Sequence, residues 1–414
     1  MEKRQECKGV SLSSKLSLDF RIMLPFSSRF QSELSPNSLF TLLEHKKKDG
    51  DTIIDLTESN PTKVGFSYPA SLLDHLSVAE NYSYEPHPRG MPRAREAVAA
   101  YYASQSISIE PEHIHLTAST SEAYSFLLKL LTNPGDEILV PRPGYPLAEH
   151  LAALEFVNVA YYDYRYDPSS GWSIDLLSME ANIHDRTRAI VLVHPNNPTG
   201  SYLSATEKWN LLALCAGKNL QLIVDEVFFD YRLNDEIICE SFLRSASDAT
   251  VFVLNGFSKM LALPQMKLGW IATHCREDAR SMILPRLDLI ADTYLSVSTP
   301  VQHAAKTFFS FREQIQSQII ARIRDNLAFL TEAFGKRNDA TLARVDGGWN
   351  AIIELATAIE EEAFAYRLLE ESNVLVHPGY FYECRQGRRV ILSLITQKNI
   401  FQKGVKKIAE ALQN

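Results

Sequence analysis

Ten residues near the middle of the chain, TVFVLNGFSK from Thr250 to Lys259, carry the most information about its structure. Their first half is an uncharged apolar run, which is typical of a strand buried on both faces of a sheet. Asn255 and Gly256 follow, as expected where a strand ends in a tight turn. A lysine directly after such a strand end has an amine available for covalent chemistry. We therefore expect a buried strand that presents Lys259 just beyond its carboxyl end.

Two more strand ends upstream carry chemically useful side chains. The run LQLIVD ends at Asp225, and the run AIVLV at residues 189–193 leads into HPNNPTG, which contains Asn197. The spacing of about thirty residues suits strands that alternate with helices in a mainly parallel α/β sheet. Three strand ends in sequence order thus carry an amide, a carboxylate and an amine.

This ordered set resembles the pyridoxal-phosphate (PLP) enzymes of the aspartate aminotransferase fold, class I/II, also called fold type I. The resemblance implies that the Lys259 amine forms a Schiff base with the cofactor aldehyde and later moves the substrate proton. It implies that Asp225 keeps the pyridine nitrogen protonated, because a nearby opposite charge favours the charged form. Asn197 would donate to the phenolate oxygen of the ring.

An amphipathic helix is expected to begin near Ser119, because Ser119 and Glu122 have capping-box spacing. The free N–H groups and positive dipole end of such a helix make an anion site, and the hydroxyls of Ser119 and Thr120 add donors. The resemblance implies that this helix start holds the PLP phosphate. It also assigns Ser258 and Lys267 to the cofactor site.

The same resemblance implies roles for two tyrosines. The motif PRPGYP at residues 141–146 is similar to the family loop whose aromatic ring stacks on the pyridine, which gives that role to Tyr145. The segment YEPHPRG, which begins at Tyr84, is similar to the family segment whose tyrosine reaches the phosphate of the neighbouring subunit. A two-fold homodimer with shared active sites is therefore implied.

Three positions on the cofactor side depart from the usual family pattern. Phe228 stands where a tyrosine normally gives the phenolate oxygen a second donor, and Gly256 replaces a serine. Lys267 replaces an arginine, which keeps the charge but loses the planar bidentate fork. We expect a less directional grip on the phosphate and one donor fewer at the cofactor oxygen.

A fourth departure concerns the substrate. Family members carry an arginine for the substrate α-carboxylate just before Leu-Ser, and here Ile391 stands in that place. Strand alternation puts Arg389 on the same face two residues earlier, so Arg389 is the predicted clamp, with a surface arginine as the alternative. The resemblance also assigns Asn60 and Trp349 to the substrate side, although Trp349 fits a core position equally well.

The composition argues against several classes of partner and site. Net charge is −8, pI is near 5.8, and basic residues are spread along the chain, so neither nucleic acid nor a membrane is an expected partner. No apolar run approaches the roughly 18 residues of a membrane span. Five scattered cysteines indicate a reducing compartment, hence a cytoplasmic protein. No metal site is expected, and whether translation starts at Met1 or Met23 stays open.

The periodicity predicts three parts. Residues 1–65 form an N-terminal segment that joins the small domain, residues 66–295 form the large PLP-binding domain with a mainly parallel seven-stranded sheet, and residues 296–414 form a smaller α+β domain. A single long helix is expected from Pro300 to about Phe334.

These residues together predict a homodimeric, PLP-dependent aminotransferase that moves an amino group between an amino acid and a 2-oxo acid by a ping-pong mechanism. A β-lyase or decarboxylase on the same scaffold is the alternative, because the fold does not fix which Cα bond breaks. A non-catalytic aminotransferase-like regulator would need an N-terminal DNA-binding domain, for which the segment before residue 60 is expected to be too short.

Overall fold

The computed structural model describes Ser27, Arg29 and residues 37–244, 248–356, 358–385 and 388–413. The two candidate translation starts, Met1 and Met23, lie outside the described residues. The helices are α1 (Ser38–Lys48), α2 (Pro92–Ser104), α3 (Thr120–Leu131), α4 (Leu147–Leu154), α5 (Leu176–Ala181), α6 (Ala205–Lys218), α7 (Phe257–Met260), α8 (Glu277–Tyr294), α9 (Thr299–Ser310), α10 (Arg312–Phe334), α11 (Glu361–Ser372) and α12 (Lys398–Ala411). The strands are β1 (Ile54–Asp55), β2 (Ile114–Thr117), β3 (Glu137–Arg142), β4 (Asn158–Asp167), β5 (Gly171–Ile174), β6 (Thr187–Val193), β7 (Gln221–Asp225), β8 (Val251–Gly256), β9 (Gly269–His274), β10 (Ala340–Leu342), β11 (Asn350–Leu355), β12 (Val374–Leu375), β13 (His377–Pro378) and β14 (Arg389–Ser393).

A mixed, mainly parallel sheet of eight strands has the spatial order β2-β9-β8-β7-β6-β3-β4-β5. Strands β8, β7, β6, β3 and β4 are parallel, while β9 runs antiparallel to both β2 and β8. This confirms the predicted α/β class.

The predicted count of seven strands is wrong by one, because β5 adds an antiparallel hairpin at the β4 edge. The far end of β4 pairs with β5, so that Asp167 lies opposite Gly171. The Asp167 carboxylate accepts hydrogen bonds from the Ser169 N–H at 2.8 Å and the Ser170 N–H at 3.1 Å, which closes the turn.

Both faces of the large sheet are buried, which explains why its central strands are apolar without a polar alternation. Leu222 and Val224 of β7 belong to one core cluster, while Ile223 between them belongs to the cluster on the opposite face. Helices therefore cover the sheet on both sides. Polar side chains are left for the strand ends, where the chain leaves the sheet.

Two glycines allow the elements around the β8 end to approach closely. A Cβ atom on Gly256 would lie 2.9 Å from the Leu268 carbonyl oxygen, and one on Gly269 would lie 3.1 Å from the Ser119 carbonyl carbon. The start of α3 can therefore lie against the β8–β9 edge. The serine-to-glycine departure at position 256 has a steric reason in this close approach.

The smaller lobe contains a sheet with the order β10-β11-β14-β13, packed with α10, α11 and α12. The N-terminal part reaches this lobe, because β1 pairs in parallel with β12 and α1 packs on α11. Helix α9, however, packs on α2 of the large lobe. The division at residues 65 and 295 stays a prediction.

The single helix expected from Pro300 to Phe334 is two helices in the structure. Phe311 lies between α9 and α10 and ends the first of them. Helix α9 packs on α2 whereas α10 packs on α12, and one straight helix would not reach both partners.

Candidate active site

A cavity of about 240 Å³ lies at the carboxyl ends of the parallel strands, between the two lobes. Parallel strands that end at one edge of a sheet bring their following loops together there. Seven of the residues predicted to form the cofactor and substrate site line this cavity: Thr120, Tyr145, Asn197, Asp225, Ser258, Lys259 and Trp349.

Lys259 lies in the short helix α7 that follows β8. Its Nζ atom is 5.0 Å from the centre of the Trp349 ring and 5.7 Å from that of Phe228. Burial lowers the pKa of Lys259 to about 8, and the carboxylates of Asp225 and Glu58 limit the decrease. The amine is therefore neutral, and nucleophilic, at a much lower pH than an exposed lysine.

Asp225 ends β7 with its carboxyl group buried. Burial raises its pKa to about 6, against the opposing effects of a 3.1 Å hydrogen bond from the Val227 N–H, a hydrogen bond with Tyr124, and the charge of Lys259. Among the described residues, no lysine or arginine forms an ion pair with this carboxylate. A buried carboxylate in that condition has a strong preference for a cationic partner.

The amide of Asn197 is oriented by a residue that the sequence did not point to. Asn350 Nδ2 donates to Asn197 Oδ1 at 2.7 Å, and both residues line the cavity. Because the Asn197 oxygen is engaged, its Nδ2 group is the one left to donate to a bound molecule.

Helix α3 begins where the sequence predicted it, with Ser119 as its N-cap residue. Ser119 Oγ accepts a hydrogen bond from the Glu122 N–H at 3.2 Å, and Glu122 accepts one from the Ala118 N–H at 2.6 Å. The Ser119 hydroxyl thus caps the helix rather than lining the cavity, while Thr120 lines it. Lys267 is exposed, adopts a left-handed φ of 51° and forms no ion pair within the described part of the chain.

Two tyrosines differ in their placement. Tyr145 is 54% exposed, lines the cavity and lies 6.3 Å from Tyr382, ring centre to ring centre. Tyr84 is outside the cavity lining and 61% exposed. A single chain therefore does not bring Tyr84 to its own cavity.

Neither Phe228 nor the nearby Tyr231 offers the cavity the phenol hydroxyl that family members have at position 228. Phe228 lines the cavity, and its ring has no hydrogen-bonding group to offer. Tyr231 is fully buried, and its hydroxyl donates to the Lys259 carbonyl oxygen at 2.6 Å. The Tyr231 hydroxyl is thus engaged by the backbone of the lysine turn and does not replace the missing phenol.

Arg389 is not brought to the cavity. Its Nε donates to Glu354 Oε1 at 3.0 Å and its Nη2 lies 2.9 Å from the same oxygen, while its guanidinium stacks over the Trp172 ring at 4.9 Å. Ile391 and Ser393 of the same strand do line the cavity. Alternation places all three on one face as expected, but the pair with Glu354 holds the guanidinium away from the cavity.

Asn60 also lies outside the cavity lining. Its side-chain oxygen accepts hydrogen bonds from the Thr62 N–H at 3.1 Å and the Thr62 hydroxyl at 2.7 Å, so it closes a turn. Thr57 and Ser59 of the same segment line the cavity instead.

Several cavity residues were missed by the sequence reasoning. His377 begins the His-Pro-Gly turn of the small lobe, and Tyr382 follows that turn. Burial lowers the pKa of His377 to about 4. Only their position beside a Pro-Gly motif could have indicated them. Tyr124 and Glu149 lie in helices, where a single sequence gives no sign that they face a cavity. The cavity residues that were missed include Tyr124, Glu149, Asn350, His377 and Tyr382.

Among the described residues, no helix is long and apolar enough to cross a membrane. No group of three or more His, Cys, Asp or Glu side chains within those residues is placed to hold a metal ion.

Comparison with protein families gives a match to aminotransferase class I and II over residues 67–403. The glutamate-pyruvate aminotransferase of Escherichia coli is 30% identical over 266 residues, which span 63% of this chain and 64% of that protein. The human tyrosine aminotransferase is 30% identical over 271 residues, 63% of this chain and 58% of that protein. The chain thus aligns with somewhat less than two thirds of each of these two relatives.

Solved structures are similar over almost the whole chain. An aminotransferase from Escherichia coli has a TM-score of 0.85 with 22% identity, covering 94% of this chain and 98% of that one. The alanine aminotransferase of Pyrococcus furiosus has a TM-score of 0.83 with 21% identity, covering 91% and 96%. At these identities the likeness concerns the fold.

Proposed function

Because the chain belongs to the class I and II aminotransferase family, it is an aminotransferase, and we propose that it works with PLP carried on Lys259. The observation that carries this proposal is the joint placement of Lys259, Asp225 and Asn197 around one cavity. The family is PLP-dependent, and the residues present fit the cofactor.

Each polar group of PLP has a suitable side chain in or near the cavity. The buried Asp225 carboxylate, with no cation paired to it among the described residues, suits a protonated pyridine nitrogen. The Asn197 amide, oriented by Asn350, suits the phenolate oxygen. Thr120 and Ser258 at the start of α3 and in α7 suit a phosphate, with Ser119 as the helix cap, and Lys267 adds a charge.

When bound, PLP supplies an electron sink that makes the Cα hydrogen of an attached amino acid acidic. The chain's own residues do the rest. The Lys259 amine, with its pKa lowered to about 8, would accept that proton from Cα and return it at the cofactor carbon C4′. Tyr145, half-exposed at the cavity wall, is proposed to hold the ring in place from one face.

The transfer of the amino group consists of two half-reactions. In the first, with PLP bound, Lys259 would take the Cα hydrogen of the donor as a proton, the cofactor would keep the amino nitrogen, and one water would supply the oxygen with which the donor leaves as a 2-oxo acid. In the second, another 2-oxo acid would take up the nitrogen by the reverse changes, with Lys259 returning the proton. This is the ping-pong mechanism predicted from the sequence.

Binding of the substrate carboxylate stays a proposal. Arg389 fits it only if the guanidinium leaves Glu354, and Asn60 only if its turn opens. Trp349, which is buried and lines the cavity, needs no such change to contact a substrate.

The predicted homodimer also belongs to this proposal. Tyr82 and Tyr84 are 97% and 61% exposed, and Leu295 is 72% exposed. The His87 N–H donates to Ser296 Oγ at 3.0 Å, so the tyrosine segment and the Leu295 segment share one surface. Exposed aromatic and apolar groups suit a partner subunit that receives Tyr84. A cytoplasmic location is proposed on the scattered cysteines, of which Cys215, Cys239, Cys275 and Cys384 are free.

A single-turnover experiment tests the reaction class. The enzyme loaded with PLP is mixed with an amino acid alone, and the cofactor is followed by absorbance while products are identified. An aminotransferase converts the cofactor to its amine form and releases one 2-oxo acid per site. Release of ammonia would instead indicate a β-lyase, and release of CO₂ a decarboxylase.

A further inference from the structure

Glu149 is a charged cavity residue that the proposed reaction does not use. It lies in α4, is half-buried and lines the same cavity as Lys259. Burial raises the pKa of Glu149, and a hydrogen bond with Tyr161 opposes the increase. The nearby His150 also opposes the increase, although it forms no ion pair with this carboxylate among the described residues.

The guanidinium groups of Arg142 and Arg385 lie over the ring of Tyr161, at 5.3 and 5.6 Å from its centre, but each arginine pairs with a carboxylate other than Glu149. Arg142 Nε and Nη2 donate to Asp163 at 2.7 and 2.9 Å, and Arg385 Nε lies 3.8 Å from Glu383. Among the described residues, no lysine or arginine forms an ion pair with Glu149. The Glu383 carboxylate instead adds a second negative charge nearby, which raises the pKa of Glu149 further.

Several other residues of the cavity lining are aromatic or apolar. Tyr382 lines the cavity together with Leu147 and Ile391. Aromatic rings attract cations, and an apolar wall accommodates the alkyl stem of a long charged side chain. A carboxylate beside such a wall fits a positive charge at the end of an alkyl chain.

We propose that the amino donor is an amino acid whose side chain ends in an ammonium or guanidinium group, bound by Glu149 beside Tyr382. This rests on the proposed function, since it names the donor of the same reaction. A cationic side chain gives Glu149 a partner that the described residues do not supply, whereas an acidic side chain is repelled by Glu149 and Glu383.

Matched donors test the proposal on the PLP-loaded enzyme. Arginine is compared with citrulline, which has the same shape without the charge, and lysine with norleucine, which lacks the terminal amine. We expect the charged member of each pair to have the higher single-turnover kcat/KM, by on the order of 10- to 100-fold. Equal values, or a preference for the neutral members, would overturn the proposal.

Two variants assign the preference to one side chain. Glu149→Gln keeps the size of the side chain and the hydrogen bond with Tyr161, and we expect the arginine-to-citrulline ratio to fall towards one. Glu383→Gln removes the neighbouring charge, which lies outside the cavity lining, and should keep most of the ratio. A ratio unchanged by Glu149→Gln would show that Glu149 does not bind the donor.

Calorimetry supplies a readout that does not depend on turnover. Butylguanidinium has the cation but no amine to transfer, and butylurea is its neutral counterpart. Wild type is expected to bind butylguanidinium more tightly than butylurea, and Glu149→Gln is not. If no amino acid converts the cofactor, the proposed function fails; if neutral amino acids convert it as well as cationic ones, only the donor class fails.

Discussion

The two walls of the cavity come from different lobes. We expect the large-lobe wall to supply the groups for the reaction and the small-lobe wall to contribute to substrate selection. On the large-lobe wall, Asp225, Asn197 and Lys259 follow the ends of three buried strands. On the small-lobe wall, Ile391 and Tyr382 come from a strand and a turn of another sheet. The first wall carries the groups that a PLP reaction requires. Among the described residues, the second contributes no lysine or arginine to the cavity lining, so we expect other contacts to select the substrate.

The largest effect is expected from a change on the large-lobe wall. Asp225→Asn removes the charge that would hold the pyridine nitrogen protonated but keeps the shape of the side chain. We expect kcat/KM to fall by roughly 10²- to 10³-fold. Steady-state kinetics of the PLP-loaded variant measure this, and activity close to wild type would contradict the role of Asp225.

The same variant should gain stability when no cofactor is bound. Burial raises the pKa of Asp225 from 3.8 to about 6, so the folded state favours the protonated form, and stability is lost as the pH rises through about 4 to 6. Asp225→Asn lacks that loss and should be more stable at pH 8 by up to about 3 kcal/mol. Urea unfolding of both cofactor-free proteins at pH 5 and pH 8 checks the sign.

A smaller effect is expected on the small-lobe wall. Arg389→Ala leaves Glu354 without its partner and removes packing over Trp172, so we expect a loss of about 1–3 kcal/mol in the free energy of unfolding. If the guanidinium stays on Glu354 during the reaction, the KM of the donor changes little. A KM increase of about tenfold or more would instead make Arg389 the carboxylate clamp.

Arg388→Ala is the matched control for this change. Its guanidinium pairs with Glu360, and side-chain exposures of 33% and 68% place that pair at the surface. Exposed ion pairs contribute roughly 0–1 kcal/mol. If Arg388→Ala lowers the free energy of unfolding as much as Arg389→Ala does, the buried pair contributes no more to stability than the exposed one.

The smallest effect concerns the lysine itself. The Glu58 carboxylate raises the pKa of Lys259, against the larger effect of burial. Glu58→Gln should therefore shift the midpoint for loading of PLP to lower pH, by a fraction of a pH unit. Rates of PLP attachment to cofactor-free enzyme across pH 6–10 measure the midpoint, with Glu149→Gln as the control. A shift to higher pH would reverse the sign and contradict the account.

The sequence was informative where local pattern determines position. Apolar runs followed by Asn197, Asp225 and Lys259 predict strands whose ends meet at one edge, and the structure has them around one cavity. The capping box at Ser119 likewise predicted the start of α3. These signals depend on residues near each other in the chain.

The remainder depends on contacts between distant residues. The alternation along β14 correctly put Arg389 on the face of Ile391, but no local pattern reveals that Glu354 on β11 takes the guanidinium. The contact of Asn350 with Asn197 joins residues 153 positions apart. The extra strand β5 was missed because it has only four residues and pairs with the polar end of β4, across a turn that begins at Asp167.

Attachment of the cofactor to Lys259 can be tested by chemical reduction. The PLP-loaded enzyme is reduced with borohydride, which fixes the bond between the cofactor and a lysine, and the peptides are identified by mass spectrometry. We predict a single phosphopyridoxyl adduct on Lys259 in the wild type and none in Lys259→Ala. An adduct on another lysine, or its persistence in Lys259→Ala, would contradict the account.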